Sequence, residues 1–268
     1  MDNDDALVGR LLSRREVLVL FGAAGAALAV ACSSDSKSTA TATRPASSTP
    51  ANVATKGAAT QAPAAGTSAS TSAPSCIVRP EMTEGPYFVD EKLNRSDIRI
   101  EPSDSSVKEG APIALAFNVS QVGSAGACTA LSGATIDVWH CDAAGVYSDV
   151  SDPGFQTTGK KFLRGYQTTD ANGQTKFTTI YPGWYQGRTV HIHFKIRTSS
   201  GHEFTSQLFF DDSLTDAVHA KAPYASKGQR TLRNTSDNIY NGGGDQLLLA
   251  LTPSGDGCAT TFDIGLQF

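Results

Sequence analysis

Two histidines, His191 and His193, stand two residues apart in a stretch that reads as a β-strand. Val190, Ile192, Phe194 and Ile196 fall on one face, and His191, His193 and Lys195 on the other. Two imidazoles on one strand face can converge on a single metal ion. Tyr185 lies six residues before His191, just after a Pro182-Gly183 turn, and its phenol can reach the same point. A second phenol comes from Tyr147, at the end of Val138-Trp139-His140-Cys141-Asp142-Ala143-Ala144-Gly145-Val146-Tyr147, which leaves a strand through a turn. Phenolate is a hard anionic oxygen donor and imidazole a borderline nitrogen donor, a mixture that suits ferric iron better than zinc or calcium. A free tyrosine has a pKa near 10, so only a strongly charged metal makes it an anionic ligand at neutral pH. Each residue also has an ordinary structural role open to it. Tyr185 fits a packed tyrosine corner, Tyr147 a turn, and a His-x-His pair a satisfied strand. His140, His202 and His219 read as satisfied histidines.

The elements that must position these residues begin late in the chain. It has 268 residues, a formal charge of −4 and a pI near 5.7, which points to neither nucleic acid nor an acidic membrane surface as partner. Arg14-Arg15 precedes an uncharged apolar run over 17–31, too short to span a bilayer and suited to the core of a signal peptide. The arginine pair resembles the export signal of the system that moves folded proteins. Leu28-Ala29-Val30-Ala31-Cys32 resembles a lipoprotein cleavage box, with a lipid anchor on Cys32, and Ala29-Val30-Ala31 also fits ordinary cleavage and full secretion. Residues 33–75 are almost entirely Ser, Thr, Ala, Pro and Gly and cannot bury enough apolar surface to offset ordering. The expected organisation is a twin-arginine-like signal peptide over 1–31, a disordered tether over 32–75 and one folded domain over 76–268. Cys76, Cys128, Cys141 and Cys258 suggest one or two disulfides in an oxidising compartment, with three full pairings open.

Within 76–268, short runs rich in Ile, Val, Thr, Phe and Leu recur at 98–100, 113–122, 134–140, 162–168, 174–180, 188–197, 203–210, 247–251 and 259–268. Turn residues separate most of them. Helical periodicity is confined to 216–225. The pattern predicts an all-β fold, an antiparallel sandwich or barrel. By itself it also fits non-catalytic transthyretin-like sandwich modules of cell surfaces, which use Pro-Gly-x-Tyr for packing.

Six blocks in order add a resemblance: Thr83-Glu84-Gly85-Pro86-Tyr87, Trp139-His140-Cys141-Asp142-Ala143, Phe162-Leu163-Arg164-Gly165, Tyr181-Pro182-Gly183-Trp184-Tyr185, His191-Ile192-His193 and Thr205-Ser206-Gln207-Leu208-Phe209-Phe210. The chain resembles the intradiol ring-cleavage dioxygenases, in particular their exported branch. That resemblance implies an antiparallel β-sandwich of transthyretin/Ig-like type holding non-haem Fe(III), and insertion of both atoms of O2 between the two hydroxylated carbons of a catechol-type ring. It further implies Tyr147 as a retained tyrosinate, Tyr185 as the tyrosinate displaced by substrate, and His191 and His193 as the histidine ligands. Arg188 would stabilise charge on the substrate, and Gln207 matches the active-site glutamine. The charges agree with it. Two phenolates and a hydroxide neutralise Fe(III), and a catechol dianion can replace the hydroxide and one tyrosinate. One condition attaches to Arg188: strict alternation points it away from the histidines, so its role requires the strand to begin after it. Neither the individual catechol nor the oligomeric state is legible.

Overall fold

The structure is a computed structural model that describes residues 77–124 and 126–268. The expected signal peptide, the tether, Cys32 and Cys76 lie outside the described residues. The described chain folds as two β-sheets packed face to face. Strands β1 (Pro112–Val122), β2 (Cys128–Ala130), β7 (Gln174–Ile180), β10 (Thr252–Ser254) and β11 (Gly257–Leu266) make the first sheet. The second runs in the order β6 (Arg164–Thr168), β3 (Thr135–Trp139), β8 (His191–Arg197) and β9 (Glu203–Phe209). Strands β4 (Ser151–Asp152) and β5 (Phe155–Gln156) form a small separate hairpin.

Alternation decides which side of each strand enters the core. Leu115, Phe117 and Val119 of β1 face Ile192, Phe194 and Ile196 of β8, all buried. Phe117 and Phe194 meet at 5.4 Å, and Phe262 of β11 closes the cluster at 5.7 Å from Phe194. Truncating a ring buried this completely costs about 3–5 kcal/mol.

The all-β sandwich read from the sequence is therefore present, with informative departures. β1 and β11 pair in parallel while the other strand pairs are antiparallel. Residues 98–100 are not a strand. The segment leading into them bridges Asn94 to Tyr166 on one sheet and Asp97 to Thr178 on the other, so it laces the edges of both together. Residues 247–251 carry only a single bridge, Phe209 to Leu248, beside a row of 3-10 turns. The one α-helix among the described residues, α1 (Asp212–His219), starts earlier than periodicity suggested because Asp211 caps it, accepting from the amides of Ser213 and Leu214.

Cysteine use is also sharper than the count allowed. Cys141 is a buried free thiol, whereas Cys128 and Cys258 are disulfide-bonded. The register sets Cys128 beside Val122 and Cys258 beside Ile113, at opposite ends of β1. Nine residues of strand span about 30 Å, far beyond disulfide reach, so these two are not bonded to each other.

Candidate metal centre

Strand β8 begins at His191, so His191, His193 and Lys195 share the outer face of the second sheet. Both imidazoles are buried under the loops that precede β4 and β8, and their Nε2 atoms face each other at 3.0 Å. The Tyr147 hydroxyl stands 3.5 Å, and the Tyr185 hydroxyl 3.2 Å, from His191 Nε2. His191 Nδ1 lies 2.7 Å from the Thr189 carbonyl, which only accepts, so that nitrogen carries the proton and Nε2 presents a lone pair. Four donor atoms from three separate segments thus meet at one point. Among the described residues no group of three or more His, Cys, Asp or Glu is placed to hold a metal, so a set built on imidazole and carboxylate alone is absent there.

The two tyrosines arrive on loops that grip each other. The Gly183 amide donates to the Asp142 carbonyl at 3.0 Å, and the Cys141 thiol reaches the Gly183 carbonyl at 3.4 Å. A side chain at Gly183 would collide with the Ala143 carbonyl, and one at Gly145, which is left-handed at φ 77°, with that of Trp184. Both glycines are needed for the tyrosine loops to approach. Arg164, buried at the start of β6, donates to the Ser148 carbonyl at 2.6 Å and fixes the residue after Tyr147. Leu163 and Asp149, on either side of this contact, hold left-handed backbone at φ 54° and 51°, a strain that a surrounding framework must maintain.

Electrostatics favour a cation at the convergence. Burial pushes the Tyr147 phenol well above its ordinary value and the Tyr185 phenol up as well, against the opposing charge of Arg188. Burial pushes His191 and His193 well down, so both imidazoles are neutral, as metal ligation requires. Buried phenols ionise only if a strong positive charge stands beside them. The donor set, two phenols and two neutral imidazoles, fits a ferric ion.

Comparison with known proteins agrees with this geometry. Residues 83–267, more than half of the chain, match the family model described as Dioxygenase. The chain belongs to the intradiol dioxygenase family. In structure it is similar to the intradiol ring-cleavage dioxygenase from Tetranychus urticae, at 29% identity and a TM-score of 0.64, covering 72% of this chain and 95% of that one. The dioxygenase domain of a carbohydrate-binding fusion protein from Streptomyces sp. SirexAA-E is also 29% identical, with a TM-score of 0.50 over 71% of this chain and 99% of that one. In sequence it is 30% identical over 114 residues to a chlorocatechol 1,2-dioxygenase from Pseudomonas putida, a match covering 35% of this chain and 42% of that relative.

For a member of this family, the surroundings of the four donors are as informative as the donors. Arg188 precedes β8, so alternation does not turn it away, and its Nη2 donates to Gln207 Oε1 at 2.6 Å. Gln207 is fully buried, lies directly across from His193 in the β8–β9 register, and donates to the Thr83 carbonyl at 2.8 Å. All six residues singled out in the sequence therefore gather in one place. Asp237 was not among them. It is buried and accepts from Arg188 Nε at 2.9 Å and from the Thr189 amide at 2.7 Å, fixing both the arginine and the entry to β8. Trp139 and Tyr87 were likewise unassigned. The Trp139 ring stacks on His193, and the Tyr87 ring lies 4.6 Å from that of Tyr147 with its hydroxyl donating to Asp152 at 2.8 Å.

Proposed function

We propose that the chain is a non-haem Fe(III) intradiol dioxygenase that uses O2 to open a catechol-type ring between its two hydroxylated carbons, releasing a cis,cis-muconate-type diacid. The observation that carries the proposal is the convergence of the Tyr147 and Tyr185 hydroxyls with the Nε2 atoms of His191 and His193. When bound there, Fe(III) supplies Lewis-acid activation of the ring diol.

The chain's own residues divide the remaining work. Tyr147 is 1% exposed, its carbonyl accepts from Thr157 at 2.6 Å and Tyr87 packs its ring, which suits a ligand that stays in place. Tyr185 sits on a half-buried loop and suits the ligand that leaves. Burial raises its proton affinity, so its hydroxyl oxygen would hold a proton taken from the incoming diol. Arg188, held by Asp237 and Gln207, offers a fixed cation to the negative charge that the deprotonated diol brings. Gln207 holds the second nitrogen of that guanidinium and ties it to the segment around Thr83.

The test is turnover of a panel of catechol, protocatechuate, hydroxyquinol and lignin-derived diols under isotope-labelled O2, with iron measured on the same sample. The expected product is an open-chain diacid carrying both labelled oxygen atoms. A semialdehyde, from cleavage beside the diol, or a product with one labelled atom contradicts the proposal. The twin-arginine-like leader and Cys32 add the proposal that the enzyme works outside the cytoplasm on a lipid anchor. Cys32→Ala would then move the protein from the membrane fraction to the soluble one, and an unchanged distribution would contradict the anchor.

A further inference from the structure

The two histidines of the candidate centre are held in different ways. His191 is anchored by its Nδ1 proton on the Thr189 carbonyl at 2.7 Å. A ligating histidine ordinarily has such a partner on its other nitrogen, which sets both tautomer and ring plane. His193 Nδ1 is buried and has no hydrogen-bond partner among the described residues. Its ring plane must be set by something else.

Trp139 and the Gly85 backbone close on that ring, and Phe88 backs the indole. Trp139 is its direct cross-strand neighbour in the β3–β8 register, and the indole stacks on the imidazole with centroids 4.9 Å apart and planes only 6° from parallel. Phe88 packs on the indole at 4.8 Å and is itself covered by Lys195 Nζ at 4.5 Å. The Gly85 backbone closes on the ring near Cε1, where an added side-chain carbon would stand 3.3 Å away. Lys195 is ion-paired with Glu84, the residue before Gly85, so the same lysine holds both the glycine segment and the aromatic stack. The indole Nε1 has no hydrogen-bond partner among the described residues, so the contribution of Trp139 here lies in its ring face.

We propose that Trp139 is the positioning residue for His193, its flat face replacing the absent hydrogen bond and aiming Nε2 at the metal. The inference rests on the iron-binding reading of the site. It makes the two histidines unequal: His191 is fixed by a directional bond, and His193 by a stack that tolerates sliding within its plane.

The experiment uses the full chain loaded with Fe(III) and reads iron retention against a chelator together with the visible tyrosinate band. Trp139→Leu removes the ring face and is expected to shorten iron retention by about 10–100-fold, the usual scale for losing a group that orients a ligand, and to shift or broaden the band. Trp139→Phe keeps a face without the indole N–H and is expected to stay within about threefold of the parent on the same scale. A folded Leu variant that retains iron and band like the parent overturns the proposal. So does a folded Phe variant as impaired as Leu. If the Leu variant does not fold, ring-proton NMR shifts of the parent loaded with diamagnetic Ga(III) decide the matter. His193 should then show an upfield ring-current shift that His191 lacks, and equal shifts would refute the stack. A parent that binds no iron would instead defeat the metal reading, an outcome separate from these.

Discussion

His140 and the pair His191 and His193 are all buried in the same sandwich, yet they are buried for opposite purposes. Both nitrogens of His140 are used within the protein. Nδ1 donates to the Cys141 carbonyl at 2.8 Å, and Nε2 accepts from the Thr179 hydroxyl at 2.6 Å. Because Thr179 belongs to β7 and His140 follows β3, this histidine bolts one sheet to the other. The pair on β8 turn their Nε2 atoms toward each other and toward two phenols, an arrangement with more acceptors than protons to share. A buried histidine whose hydrogen bonds close locally is structural. One whose lone pair faces a second imidazole and two phenols is placed to act as a ligand.

The two kinds of buried histidine should differ most at the convergence point. His193→Ala is expected to abolish stable iron binding and reduce turnover to background, measured as iron per chain and diacid formed, whereas His140→Gln leaves iron content unchanged. Tyr185→Phe comes next. It removes the proposed leaving ligand, which is also the proposed proton acceptor, with an expected loss of about 10²–10⁴-fold in kcat and a change in the visible band while Tyr147 remains.

Asp237→Asn is a smaller and more discriminating change. It leaves the four donors in place but removes the anion that aims Arg188 and receives the Thr189 amide. Misplacing a charge-stabilising group by about 1 Å costs on the order of 100-fold in kcat/KM. Iron content should be retained, and its loss would show that Asp237 supports the metal ligands and not the arginine alone.

The last expected effect is on stability, at His140. Burial depresses its pKa from 6.5 to about 4, so as pH falls the unfolded chain takes up the proton before the folded one does. The stability from this group is full above pH 6.5 and is lost as pH falls toward 4, to the extent of about 3 kcal/mol. Denaturant unfolding between pH 7 and 4 should show a shallower loss in His140→Gln than in the parent. Equal slopes would contradict the bolt.

How far the site was legible follows from the range of each signal. Period-two alternation is local, so β7 falls on 174–180 as read and the histidine face of β8 is correctly turned outward. The start of β8 was set three residues too early, and that difference is what brings Arg188 into the site. The embrace of the Tyr147 and Tyr185 loops depends on Gly145 and Gly183 meeting carbonyls of the opposite loop, which neither loop announces alone. Asp237 lies 49 residues beyond Arg188 in a tail of 3-10 turns without periodicity. Locally it reads only as a cap for the amides of Ile239 and Tyr240. The parallel pairing of β1 with β11 was invisible because alternation says which side of a strand is buried and nothing about the direction of its neighbour.

Titration of the full chain with Fe(III) under visible spectroscopy asks whether two phenols and two imidazoles form one ferric site. The expected result is a red protein with one iron per chain, whose tyrosinate-to-iron band shifts when catechol is added and weakens in Tyr147→Phe and Tyr185→Phe, while Tyr181→Phe leaves it unchanged. A folded protein that stays colourless with Fe(III), or whose band survives loss of both Tyr147 and Tyr185, would contradict it.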